Sequence, residues 1–231
     1  MAAIPRPRTP ANQRRVPPPA AHVLSPYLTR RRSLLVKHLL DRVLALLAIT
    51  ALAPLLVVVA ACVQCSSSGC VIYRQVRIGR EGEPFVILKF RTMVADADAD
   101  LPALLKAQGR DGRPLFKVDR DPRVTRLGVV LRRTSIDELP QLWNVVRGEM
   151  SLVGPRPQRP AEVALYTPQQ RQRLLVRPGI TGLWQVSGRS ICSWEQAVGY
   201  DLEYIRRWTP ALDLVILART VPAVLRSVGA C

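Results

Sequence analysis

Residues Val43–Val63, VLALLAITALAPLLVVVAACV, carry no charge over 21 positions, a length that crosses the apolar core of a bilayer as an α-helix. The chain is therefore expected to enter a membrane here. Two features favour a re-entrant path over a simple crossing. Pro54 stands near the centre, where its missing N–H and its ring bend a helix. Both flanks are basic: Arg30, Arg31, Arg32, Lys37 and Arg42 precede the segment, and Arg74, Arg77 and Arg80 follow it. Basic flanks stay on the cytoplasmic side, so a helix that dips in, turns at Pro54 and returns satisfies both observations. A crossing remains compatible with Pro54 taken alone, because transmembrane helices tolerate proline.

Outward from this segment the chain divides into three. Residues 1–32 are rich in Pro, Ala and Arg without apolar periodicity, as expected of a disordered basic arm. A secretory signal would place its apolar stretch close to the start, whereas here it begins after residue 33. Residues 33–70 form the expected re-entrant membrane helix, and 71–231 a cytoplasmic domain. The net charge of +17 is almost wholly arginine: Lys37, Lys89, Lys106 and Lys117 are the only lysines among 34 cations. Such a field selects an anionic partner, and nucleic acid, an acidic membrane surface and phosphorylated substrates all qualify. Cys62, Cys65, Cys70, Cys192 and Cys231 are odd in number and imply no disulfide framework. With no histidine near the first three, small apolar residues in a reducing compartment is the better reading than zinc ligation.

Beyond the membrane, 71–77 and 84–91 read as two strands joined through Gly79-Arg80-Glu81-Gly82 as a β-hairpin. The run from Asp96 to Asp100 resembles a calcium loop but has Leu101 and Ala107 where Gly and Glu are needed. It reads as the solvated face of a helix. Helical patterning returns at 136–146, 168–176, 194–208 and 211–228. The fold class is α+β: a membrane helix, then a small mixed domain with a β-hairpin and C-terminal helices that either lie flat at the interface or pack as core.

The chemistry concentrates between Arg132 and Pro157. Adjacent carboxylates at Asp137 and Glu138 point about 100° apart on a helix, so they take separate tasks, one attacking and one holding a metal. Ser135 and Glu138 also match a helix capping box. Arg132 and Arg133 precede the pair, and Arg147, Arg156 and Arg159 follow around Gly154-Pro155-Arg156-Pro157. Several guanidinium groups near two carboxylates suit a pyrophosphate with a divalent cation. Arg177-Pro178-Gly179-Ile180-Thr181-Gly182 and Gly188-Arg189 repeat the pairing of flexible backbone with arginine.

The order of blocks decides among the partners. The chain carries Lys37-x-x-x-Asp41-Arg42, Pro54, Tyr73-Arg74-Gln75-x-Arg77-Ile78-Gly79, Lys89-Phe90-Arg91-Thr92-Met93 and Arg132-Arg133-Thr134-Ser135-Ile136-Asp137-Glu138-Leu139-Pro140-Gln141-Leu142-Trp143-Asn144-Val145. It continues through 147–157, 177–182 and Gln185-Val186-Ser187-Gly188-Arg189. In this order, from about residue 34 to 228, it resembles the bacterial sugar transferases, monotopic polyprenyl-phosphate phosphoglycosyl transferases that initiate exopolysaccharide, O-antigen and glycoprotein glycan synthesis. The chain departs from their pattern at Ala53, where Ser often precedes the helix-breaking Pro, and at Cys70, where Pro commonly follows Gly.

The resemblance implies a phosphoglycosyl transferase that moves a sugar 1-phosphate from a UDP-sugar to polyprenyl (undecaprenyl) phosphate, releasing UMP. It makes Asp137 the nucleophile, Glu138 the residue that positions Mg²⁺, and Arg132 a phosphate contact. Lys89, Arg91, Arg133, Pro155, Arg156, Pro157, Arg177, Gln185 and Arg189 are the implied substrate-binding residues, and Pro54 the break of the membrane hairpin. The implied location is the cytoplasmic face of the bacterial inner membrane; a homodimer is compatible with this and not required. Nucleic acid is not the expected partner: a membrane-tethered nucleic-acid binder explains the charge but not the Asp-Glu block, and aromatic residues at 5% offer few stacking platforms. A catalytically silent assembly scaffold is opposed by the intact Asp137-Glu138 pair.

Overall fold

The computed structural model describes residues 31–94, 97, 121–187 and 192–225. The basic arm up to residue 30 and the acidic run from Asp96, Ala97 excepted, lie outside them. Helix α1, Arg31–Ser66, runs unbroken through Pro54, without the helix-break-helix interruption expected there. It is the one helix among the described residues long and apolar enough to cross a membrane. Its outward side chains include Leu39, Val43, Leu46, Leu47, Leu55, Val57 and Val58, all exposed. Soluble monomers rarely leave so large an apolar face uncovered.

The rest of the molecule is mixed and mostly helical. Strands β1, Ile72–Ile78, and β2, Pro84–Phe90, form the antiparallel hairpin, with Ile72 opposite Phe90 and Ile78 opposite Pro84. Helix α2, Arg126–Arg133, follows, then a 3₁₀ turn at Ile136–Glu138 and helix α3, Gln141–Val146. The single helix expected over 136–146 is thus two pieces, parted at Leu139-Pro140 because proline cannot donate into a continuing helix. Strand β3, Ser151–Val153, leads to α4, Pro160–Ala164, and a 3₁₀ segment, Gln170–Leu175, stands where a helix was expected over 168–176. Strand β4, Gly179–Thr181, pairs parallel with β3. Helices α5, Leu183–Ser187, α6, Trp194–Arg207, and α7, Pro210–Leu225, complete the described chain.

The parallel pair sets two loops side by side. A Cβ on Gly179 would lie 2.1 Å from the Gly154 nitrogen, a distance no side chain survives, so glycine there permits Gly154-Pro155-Arg156-Pro157 to touch the loop after Arg177.

Both halves of α1 are fastened to this domain. Near its start, Lys37 Nζ donates to Asp213 Oδ2 at 2.7 Å and to Val153 O at 3.3 Å. Ser151 Oγ donates to Asp41 Oδ2 at 2.5 Å. Tyr204 and Trp208 also donate to Asp213, at 2.8 and 3.1 Å, so this buried carboxylate has a partner on each side. Ala45 packs with Ile87, Leu142, Val145 and Met150, while Val59 and Val63 pack with Phe90 and Leu131. At the far end Arg91 donates to the carbonyls of Val63, Ser67 and Cys70 at 3.1, 2.6 and 2.6 Å, satisfying acceptors that a helix C-terminus leaves open.

The two C-terminal helices differ in how far they are buried. Helix α6 opens with a capping box at Ser193 and Gln196 and buries Val198, Leu202, Tyr204 and Ile205 as core. Helix α7 buries Ile216 but leaves Leu214, Val215, Val221 and Leu225 exposed.

Candidate active site

The site begins with a strained residue. Ser135 lies at φ 57, the left-handed region that L-residues other than Asn and Asp seldom occupy. The turn this makes at the end of α2 aims the next residues back at β2. Ser135 makes no side-chain cap bond, which corrects the capping-box reading: its backbone conformation, and not its hydroxyl, is what the chain uses here. Strain of this kind is kept where the surrounding structure enforces it and is concentrated at functional sites.

Asp137 and Glu138 arrive side by side at the end of β2. Lys89 Nζ lies 2.6 Å from Glu138 Oε1 and 3.9 Å from Asp137 Oδ2. Arg156 Nη2 reaches the same Glu138 oxygen at 3.2 Å from the Gly154–Pro157 loop. Arg132, whose Nε donates to Thr92 Oγ1 at 2.9 Å, adds its charge to the field at Asp137.

These neighbours pull the two carboxyls apart. Burial pushes Asp137 up, and Glu138 adds to the rise; Lys89, Arg132 and Arg156 offset it only in part, leaving Asp137 at about 6. Burial also pushes at Glu138, but Lys89 and Arg156, each with a charge and a hydrogen bond, overcome it and hold this carboxyl at about 2. Two acids tuned in opposite directions within one site mark a division of labour. Glu138 is a fixed anion. Asp137 is ionised near neutral pH yet retains more basicity, hence more nucleophilicity, than an ordinary aspartate.

A direct check is a ¹³C-carboxyl titration of Asp137 in the metal-free protein. Its midpoint should fall near 6, and Glu138→Gln should lower it towards 3.8, because losing a neighbouring anion favours the charged form. A wild-type midpoint near 4 would remove the claim that the pair is split.

With this geometry in hand, the chain matches the bacterial sugar transferase family over residues 32–227. The chain belongs to that family. It is 45% identical over 196 residues to the exopolysaccharide production protein ExoY of Sinorhizobium fredii, covering 84% of this chain and 87% of that one. To the UDP-glucose:undecaprenyl-phosphate glucose-1-phosphate transferase of Caulobacter vibrioides it is 43% identical over 197 residues, covering 82% and 69%. To the undecaprenyl-phosphate galactose phosphotransferase of Salmonella typhimurium it is 39% identical over 206 residues, 88% of this chain but 43% of that longer protein. The transferase is thus an enzyme of the phosphoglycosyl transferase kind.

Of the residues expected in its site, Lys89, Arg132, Asp137, Glu138 and Arg156 come together. Pro155 and Pro157 are buried on either side of Arg156 and shape its loop. Arg133, in contrast, is exposed on the last turn of α2. Arg91 is placed elsewhere: its guanidinium closes the end of α1, as described above, because three carbonyls at the helix exit need a donor with several N–H groups. Arg177 borders the β3–β4 junction and bears on His38 of the membrane helix. Gln185, on α5, donates to Ile180 O at 3.4 Å. Arg189 lies outside the described residues.

Two contributors were given no role in the sequence reading. Thr92 orients Arg132. Asn144, fully buried, donates to Val86 O at 2.7 Å and accepts from the Leu88 nitrogen at 3.1 Å, stitching α3 to the strand that carries Lys89. A lone Asn within the apolar stretch from Leu142 to Val146 was the available signal.

Among the described residues no group of three or more His, Cys, Asp or Glu could hold a metal by itself. Asp137 and Glu138 nevertheless fit Mg²⁺, which is held by one or two carboxylates together with substrate phosphates instead of by a full protein cage.

Proposed function

We propose that this transferase moves a sugar 1-phosphate from a UDP-sugar to undecaprenyl phosphate through a covalent intermediate on Asp137. The observation that carries this reading is the geometry that sets Asp137 and Glu138 side by side on Lys89, with Arg156 on the same Glu138 oxygen. A Asp137 carboxylate oxygen attacks the sugar-bearing phosphorus; the bridging P–O bond breaks and UMP leaves with the bridging oxygen. The acyl phosphate then meets the lipid phosphate, whose anionic oxygen attacks the same phosphorus and returns the carboxylate. Neither substrate needs to be bound with the other, which suits a soluble donor and a membrane acceptor. Lys89, Arg132 and Arg156 supply the positive field that transferring a phosphoryl group requires. Bound through Glu138 and Asp137, Mg²⁺ would neutralise pyrophosphate charge. Relatives named for UDP-glucose and for undecaprenyl-phosphate galactose transfer support the substrate classes.

Incubating purified transferase with polyprenyl phosphate and a panel of nucleotide-sugars tests this. UMP release with one UDP-sugar is expected; no release from any of them would dismiss the reading.

Helix α1 is read as re-entrant from the cytoplasmic side of the inner membrane. A single domain holds Lys37 at one end and Val63 to Cys70 at the other, and a helix crossing the bilayer between those points would have to part from it. The exposed apolar face of α7 suits the same membrane surface. Probe cysteines replacing Ser33 and Gln75 should be labelled from the same face of sealed vesicles; labelling from opposite faces would establish a crossing. Pro54→Leu should straighten the helix and shift molecules towards crossing, with loss of activity in those molecules.

A further inference from the structure

The loop that delivers Arg156 cannot anchor itself. Gly154 N donates to Thr181 O at 2.9 Å, but Pro155 and Pro157 have no N–H, so beyond Gly154 the fixed points are carbonyls, and four in succession each have an outside donor. Gly179 N serves Pro155 O at 2.9 Å, Arg77 Nη1 serves Pro157 O at 3.3 Å, and Ile78 N serves Gln158 O at 3.0 Å. The carbonyl of Arg156 itself is served by Arg173 Nη2 at 3.3 Å.

Arg173 is 5% exposed; both terminal nitrogens of its guanidinium are engaged, while its Nε is buried without a hydrogen-bond partner. Its Nη2 also meets Asp201 Oδ2 of α6 at 2.6 Å, its Nη1 donates to Tyr166 Oη, and it sits 5.4 Å from the ring centres of both Tyr166 and Trp194. Arg173 and Arg156 both border a small half-open hollow of about 10 Å³, with Pro157, Leu174 and Pro178.

We propose that Arg173, locked by Asp201, is a positioning residue that holds the Arg156 backbone so that the Arg156 guanidinium stays on Glu138. The chain of contacts runs from the core helix α6 through Arg173 and the Arg156 carbonyl to the carboxylate beside the nucleophile. This deepens the proposed reaction and rests on it for its kinetic consequence, but not for its structural one.

Arg173→Lys keeps the charge for Asp201 while losing the fork that serves two acceptors at once. In the full-length protein in detergent or nanodiscs, the variant should fold, with kcat lowered about ten- to a hundredfold and KM for the UDP-sugar changed far less, as expected for a misplaced transition-state contact. In an Arg156→Ala background the same change should cost nothing further. The Arg156 side-chain Nε–H NMR signal should shift or broaden in Arg173→Lys, which tests the positioning even if no sugar donor is turned over. An unchanged Arg156 signal, or equal kcat losses in the two backgrounds, would overturn the proposal and leave Arg173 a core ion pair.

Discussion

Asp137→Asn should lose at least about a thousandfold in turnover, roughly 4 kcal/mol of transition-state stabilisation, while the protein keeps its fold. The amide has nearly the shape of the carboxylate but is a poor nucleophile at phosphorus, so the first covalent bond cannot form. Stability should move the other way. A carboxyl raised to about 6 in the fold from an ordinary 3.8 favours folding below the lower value and progressively loses that advantage as pH rises through the higher one. Above pH 7, removing the charge should leave the thermal midpoint unchanged or higher. Activity measured with donor and lipid, alongside a melting curve, separates a missing nucleophile from a damaged fold. Retention of more than a tenth of the wild-type rate would mean that Asp137 forms no essential bond.

The second large effect concerns charge at Glu138. Chelator should abolish turnover and added Mg²⁺ should restore it. Glu138→Gln should lower kcat about a hundredfold, roughly 2.8 kcal/mol, and unlike the Asp137 variant it should also destabilise the protein. Two cations share the Glu138 Oε1 atom, and neutralising it leaves both without their closest anion in a largely buried place. The depressed carboxyl stabilises the fold above its unfolded value and gives that up as pH falls towards about 2, so the destabilisation should be full at neutral pH. Full activity in excess chelator would end the metal assignment, whereas a Glu138→Gln enzyme as stable as wild type would contradict the ion-pair geometry.

Short-range features were legible in the sequence. The apolar run and its basic flanks announce α1, the strand at 84–91 and its partner announce the hairpin, and Asp137-Glu138 among arginines announces the charged cluster that the fold gathers with Lys89 and Arg156. Each is carried by residues within a few positions of one another, where periodicity and spacing speak. The 3₁₀ turn at Ile136–Glu138 was misjudged as the start of a helix because Ser135 could cap one by composition; the left-handed backbone that Ser135 takes instead is something no local pattern records. Arg91 was assigned to substrate on the strength of its neighbours in sequence. Strand alternation does put it on the same face as Lys89, yet the carbonyls at the helix end that claim it lie 21 to 28 positions earlier.

The long-range partners were invisible for the same reason. Lys37 meets Asp213 across 176 positions, and Arg173 meets Asp201 from another element. A buried arginine reads as one more cation in a chain that has thirty of them. Only the fold shows that Arg132 and Arg156 stand by the Asp137–Glu138 pair while Arg91 and Arg173 are bound into structure.

The measurement that bears most directly on the covalent role of Asp137 omits the lipid. Transferase with Mg²⁺ and its UDP-sugar, but no polyprenyl phosphate, should release up to about one equivalent of UMP and gain the mass of a phosphosugar on the peptide containing Asp137, and Asp137→Asn should do neither. UMP release that strictly requires the lipid, with no adduct on the protein, would contradict the covalent mechanism and demand direct transfer within a ternary complex.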